Sequence, residues 1–107
     1  MVSFTEWQKI ELKVAKIVAV EDIEGKDKLY KLQIDLGSEK RQIVAGLKQY
    51  YSKEELQGKS IIVVSNLEPA KIAGIESQAM LLAARDKEGK YKLVTIGESV
   101  APGTKVE

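Results

Sequence analysis

Apolar and polar residues alternate along much of this chain at a period of two. In LYKLQIDLG, Tyr30, Leu32, Ile34 and Leu36 alternate with Lys31, Gln33 and Asp35. Only a strand with one face buried and one in water puts every second side chain on the same side, so the segment reads as a half-buried β-strand. The same period runs earlier through Ile10, Leu12, Val14, Val18 and Val20. Lys16 falls in the inward phase of that run, with Ile17 beside it. One inserted residue flips the phase of a strand, so a bulge or sharp bend is expected there, midway along a long first strand.

The punctuation between these runs sets the order of the elements. Glu21 to Lys28 (EDIEGKDK) is polar with one glycine and reads as a loop. Gly37 and Ser38 form a turn, and Lys40 to Gly46 (KRQIVAG) returns as a hairpin partner. Ser3 with Glu6, and Ser52 with Glu55, have capping-box spacing. They predict a helical turn over residues 4–8 and a short helix in SKEELQ, stopped by Gly58. Ile61 to Val64 is wholly apolar and β-branched, as in a strand buried on both faces. Asn66 to Glu76 contains Pro69 and Gly74 and reads as a long loop. Gln78 to Ala84 reads as a strand, Asp86 to Gly89 as a turn and Tyr91 to Ile96 as the returning strand. A Pro102-Gly103 turn leads to a last short extended piece. With no repeat or linker, residues 1–107 are expected to form a single domain.

These elements predict an all-β fold: a five-stranded oligonucleotide/oligosaccharide-binding (OB) barrel with a short helix between strands 3 and 4 and small terminal additions. The spacing alone also permits another small β-barrel. Composition narrows the chemistry further. The chain has no cysteine and no histidine, which removes disulfides, thiolate nucleophiles, imidazole acid–base catalysis and Cys- or His-ligated zinc. Carboxylates are plentiful, but no spacing suggests a paired acid–base site, and there is no glycine-rich phosphate loop. A binding module is therefore expected, with no catalytic residue, metal or cofactor. Seventeen Lys plus Arg against 16 Asp plus Glu give a net charge of +1, which argues against a strongly basic nucleic-acid coat. The start, MVSFTEWQKI, lacks the apolar run of a signal peptide, and the longest apolar stretches are too short to span a bilayer. A cytoplasmic location without membrane contact is the expectation.

At RQIVAGL (Arg41 to Leu47), YYSKEEL (Tyr50 to Leu56) and NLEPAKIAGIESQAMLL (Asn66 to Leu82), the sequence resembles the tRNA-binding domain family. DKLYKLQIDLG and the terminal V-x-P-G-x-K-V fit the same pattern. That family includes free-standing dimeric tRNA-binding proteins, the C-terminal domain or β subunit of methionyl-tRNA synthetases, and a chaperone of the same fold. The resemblance implies non-catalytic binding of folded tRNA by a homodimer, as an accessory domain or subunit of methionyl-tRNA synthetase with that enzyme's catalytic subunit as a partner. A protein-binding or chaperone-like dimeric module is the alternative. By motif, the implied RNA contacts are Lys28, Arg41, Asn66, Lys71, Ser77 and Met80. The chain departs from the family pattern in having Ala45 for Ser, Ala79 for Gly and IEGKDK for the usual H-P-N-A-D-K loop. A methyl group at Ala79 is expected to obstruct close approach of RNA to the backbone near Ser77 and Met80.

Several of these residues also have ordinary structural readings. Asn66, the only asparagine, suits a base or 2′-OH contact and equally an Asx-type turn. Met80 shares its strand phase with Leu82 and suits core packing. Tyr50 and Tyr51 suit base stacking, although packing of the following helix onto the sheet is the nearer expectation. Phe4, Trp7 and Ile10 have little of a small domain left to cover them and are expected at a dimer interface.

Overall fold

The computed structural model describes all of residues 1–107. Its first helix, α1 (Phe4–Trp7), starts where the Ser3 hydroxyl accepts the Glu6 N–H. The first three strands, β1 (Leu12–Ile23), β2 (Lys26–Asp35) and β3 (Lys40–Ala45), form an antiparallel meander. Helix α2 (Lys53–Leu56) follows with a complete capping box between Ser52 and Glu55, and the fully buried Leu56 anchors it to the core. Beyond it come β4 (Ser60–Val64), the hairpin of β5 (Ala70–Ile72) and β6 (Ile75–Ser77), β7 (Met80–Leu81), the hairpin of β8 (Ala83–Arg85) and β9 (Tyr91–Leu93), and β10 (Lys105–Val106). The main sheet has the order β3-β2-β1-β4-β7, and β10 pairs with the start of β1.

The charged residue in the middle of β1 marks where the strand changes partner. Leu12–Lys16 pairs with β4, whereas Lys16–Ile23 pairs with β2. The register slips between Ile17 and Ala19, so the bulge lies just beyond Lys16, which is exposed while Ile17 is fully buried. The expected single apolar face of this strand is corrected by the structure. Leu12 and Val14 face a small second core with Ile62, covered by Val64, Leu82, Ile96, Val100 and Val106. Ala15 and Ile17 face the main core, and past the bulge Val20 packs against that core too. β4 lies between the two, with Ile61 and Val63 on one side and Ile62 on the other, the two-sided burial its composition predicts. The C-terminal tail reaches the second core through a close backbone crossing. A Cβ on Gly37 would stand 2.6 Å from the Pro102 carbonyl oxygen, so only glycine fits there.

Other expectations shift for local reasons. EDIEGKDK is mostly strand, because ladder hydrogen bonds are indifferent to side-chain polarity; only Glu24 and Gly25 turn, with Gly25 at φ +75°. Asn66–Glu76 holds the β5–β6 hairpin, whose two turn residues, Ala73 (φ 54°) and Gly74 (φ 78°), supply the positive angles of a tight turn that matches strand twist. Gln78–Ala84 is divided into β7 and β8, and the returning strand ends at Leu93. The all-β class and the helix between β3 and β4 are as expected. The main sheet, however, does not close into a continuous ladder. Its β3 edge meets the β6–β7 segment through isolated contacts: the Gln78 N–H donates to the Gln42 carbonyl at 2.9 Å, and the Gln42 N–H to the Gln78 side-chain oxygen at 3.0 Å.

Candidate nucleic-acid interface

Of the six residues expected to contact RNA, Lys28 and Lys71 stand free. Lys28 lies near the start of β2 and Lys71 in β5; both are exposed and neither makes an ion pair. Lys31, in β2, is held by Glu21 of β1 at 3.4 Å. Met80 is half-buried in β7 and lines an apolar cavity of about 410 Å³ together with Leu29, Val44, Ala45, Gly46, Leu47, Ile72, Leu81, Ala83 and Tyr91. Lys28 precedes Leu29 and Lys71 precedes Ile72, so the two free cations flank this cavity in the chain.

The other three side chains are committed inside the protein. The Arg41 guanidinium donates from Nε to the Glu39 carboxylate at 2.6 Å and from one terminal nitrogen to the Ser65 and Gln78 carbonyls. This cation holds the Glu39 carboxyl below its ordinary range. Arg41 thus ties β3 to the segments after β4 and before β7. Asn66 bridges the N-terminal segment: its amide oxygen accepts the Glu11 N–H at 2.9 Å and its amide nitrogen donates to the Lys9 carbonyl at 2.6 Å. Beside it, the Ser65 hydroxyl donates to the Glu11 carboxylate at 2.8 Å, which with Lys13 lowers the Glu11 pKa. Ser77 is 3% exposed; its hydroxyl accepts the Val44 N–H at 3.1 Å and donates to the Ala79 carbonyl at 3.0 Å. Ala79 is itself buried in the main core, so its methyl group packs inward and does not stand in the path of a ligand.

Tyr91, which lines the cavity, was not among the residues the sequence singled out. The β8–β9 register sets it opposite Arg85, whose guanidinium lies over Gly89 of the turn, and that pairing becomes visible only once the hairpin's turn is fixed. Tyr50 packs edge-to-face on Tyr91, centroids 5.7 Å apart. Tyr51 is structural: its hydroxyl accepts the Leu93 N–H at 3.0 Å and its carbonyl accepts the Tyr30 hydroxyl at 2.8 Å.

At the opposite end of β1, Phe4, Trp7 and Ile10 are 72%, 42% and 46% exposed. With Gln8, Lys105, Val106 and Glu107 they line a second hollow of about 410 Å³. Asn66, which sequence reasoning placed on RNA, fixes the segment that carries these apolar residues. No group of three or more Asp or Glu side chains is arranged to hold a metal ion.

The chain is an all-β module with exposed, unpaired lysines and an apolar cavity, and comparison with known proteins gives its family. Residues 12–105 match the model of the putative tRNA binding domain, and the chain belongs to that family. It is 50% identical over 99 residues to a methionine–tRNA ligase of Methanocaldococcus jannaschii, covering 92% of this chain and 15% of that protein. It is 51% identical over 105 residues to the enzyme of Pyrococcus furiosus, covering 98% of this chain and 14% of that one. The chain therefore spans about one-seventh of the length of these relatives. Among solved structures, a MetRS-related protein from Pyrococcus horikoshii superposes with a TM-score of 0.93 at 39% identity, covering 100% of this chain and 98% of that one. A CsaA chaperone protein from Picrophilus torridus superposes at 0.90 with 33% identity, covering 100% of both chains.

Proposed function

We propose that this chain is a non-catalytic module, acting as one unit over residues 1–107, that binds folded tRNA and raises the tRNA affinity of methionyl-tRNA synthetase. The family match over residues 12–105 carries this reading, and the exposed, unpaired Lys28 and Lys71 give it a physical basis. Lysines neutralise phosphates and release counterions, while a fixed sheet surface matches the shape of folded RNA without reading its sequence. An OB-type arrangement, with the Ser77, Gln78 and Arg41 contacts bringing the β3 edge to the β6–β7 segment, is the finer fold reading that fits such a surface. The apolar group at Phe4, Trp7 and Ile10 suits a homodimer, in which two copies widen the RNA surface and add avidity. No helix is long and apolar enough to cross a membrane, and a role in translation would fit a cytoplasmic location.

A chaperone-like, protein-binding role is the second reading, favoured by the likeness to the CsaA protein and by the exposed N-terminal aromatics. Replacing Lys28 and Lys71 together with Glu separates the two. Under the first reading the double variant loses tRNA binding and keeps any capture of an unfolded protein client. Retention of full tRNA affinity by that variant would refute the role given to these lysines.

A further inference from the structure

The N-terminal segment, residues 1–11, has no core of its own. Residues 1–10 are exposed, and α1 buries none of its side chains. Every hydrogen bond that joins this segment to the rest of the chain goes to Ser65 or Asn66, just past β4. The Asn66 carboxamide behaves there as a peptide group does in a ladder. Its oxygen accepts the Glu11 N–H and its nitrogen donates to the Lys9 carbonyl, so it grips the backbone on both sides of Ile10. One hydrogen bond would leave the segment free to pivot; two that flank a single residue fix its direction. The grip needs an acceptor and a donor on one short side chain, which asparagine has and aspartate and alanine lack. Its root is braced. Ser65 is 4% exposed, its N–H donates to the Glu11 carbonyl at 2.8 Å, and its own carbonyl accepts from the Arg41 guanidinium of β3.

What the grip directs is the exposed apolar group. Phe4 and Trp7 lie three residues apart on one side of α1, Ile10 sits between the two gripped peptide groups, and all three line the second hollow with Val106 of β10. We propose that Asn66 is a positioning residue for self-association: it holds the segment in the pose in which Phe4, Trp7 and Ile10 meet a second copy of this chain. The proposal rests on the homodimer reading above and gives Asn66 a task in place of the RNA contact that its motif implies. A dimer needs the segment docked in both protomers, so a fall in the docked fraction weakens association as the square of that fraction.

Asn66→Ala removes both hydrogen bonds, and because the side chain is exposed it leaves no cavity. Sedimentation equilibrium is expected to show the dimer dissociation constant raised about tenfold or more, with the far-UV circular dichroism of the fold unchanged. Asn66→Asp, which sets a carboxylate oxygen against the Lys9 carbonyl, is expected to do the same. The chain carrying Phe4→Ser and Trp7→Ser serves as the monomeric background for two further readouts. Trypsin reports on the segment directly, because the Lys9 carbonyl that Asn66 holds belongs to the bond it cleaves. In that background Asn66→Ala is expected to speed cleavage after Lys9 about tenfold and to leave the other sites at their former rates, whereas a general loosening of the fold would speed them all. Its tRNA affinity is expected to stay that of the background chain. A wild-type dimer dissociation constant in Asn66→Ala overturns the positioning role and leaves the homodimer reading standing. A monomeric wild type overturns both. A further loss of tRNA affinity on adding Asn66→Ala to the monomeric background puts Asn66 on the RNA and overturns the proposal.

Discussion

Ser77→Ala separates a structural hydroxyl from a ligand-binding one. In the fold the Ser77 hydroxyl joins three segments: it accepts from the Val44 N–H of β3 at 3.1 Å and donates to the Ala79 carbonyl at 3.0 Å. The residue is 3% exposed, so water does not replace the lost oxygen. Alanine leaves a buried backbone N–H without an acceptor, which costs about 1–3 kcal/mol. At this chain length each kcal/mol lowers the melting temperature by about 4 °C, so the expected fall is about 4–12 °C. Differential scanning calorimetry measures that fall, and a tRNA titration well below the transition measures binding. The expected result is a destabilised protein with wild-type affinity. An unchanged melting temperature together with a tenfold loss of affinity would refute the reasoning, because the hydroxyl would then face the RNA.

Other consequences follow from the same contacts. Replacing both Phe4 and Trp7 with Ser is expected to convert the proposed homodimer to a monomer in sedimentation equilibrium and to leave the thermal stability of the core nearly unchanged. Ile17→Ala removes a fully buried side chain at the bend of β1 and is expected to cost about 2–5 kcal/mol in urea unfolding. Ala73→Gly relieves a non-glycine residue at φ 54°; removing a left-handed strain of about 1–2 kcal/mol, less about 0.4–1 kcal/mol for the added freedom of the unfolded chain, gives a net stabilisation in the same assay. Lys53 raises no acid response of its own, but its hydrogen bond, followed by that of Lys48, holds the Asp22 carboxyl below its ordinary 3.8. A depressed carboxylate contributes stability that is complete above its unfolded value and is lost as pH falls through the folded one. The melting temperature is therefore expected to decline below about pH 4, and Asp22→Asn to flatten that decline slightly, since the pair is exposed.

How much of this was visible in the sequence depended on whether the cause was local. Period two in residues 29–37 marked β2 because one face is buried, and the two Ser/Glu spacings marked both helices because caps are local. Lys16 announced the bend. What it did not announce was that Leu12 and Val14 turn away from the main core, since the second core is built by Ile62 and by tail residues far along the chain. The polar stretch around Glu24 concealed a hairpin because backbone pairing leaves little trace in side-chain polarity. Motif matching grouped six residues as RNA contacts without showing the division of labour among them. Asn66 and Ser77 share a motif with Lys71 and Met80, and Arg41 lies in RQIVAGL, yet these three are spent on long-range contacts to Lys9, Val44 and Ser65. Tyr91 was missed because only the pairing of β8 with β9 places it at the cavity.

The most direct test is a gel-shift titration of the wild-type chain with one tRNA in folded and in unfolded form, over a range of salt. Recognition of RNA shape through a confined cationic patch predicts tighter binding to the folded form and an affinity that falls as salt rises. Equal affinity for the two forms, or affinity indifferent to salt, would contradict it.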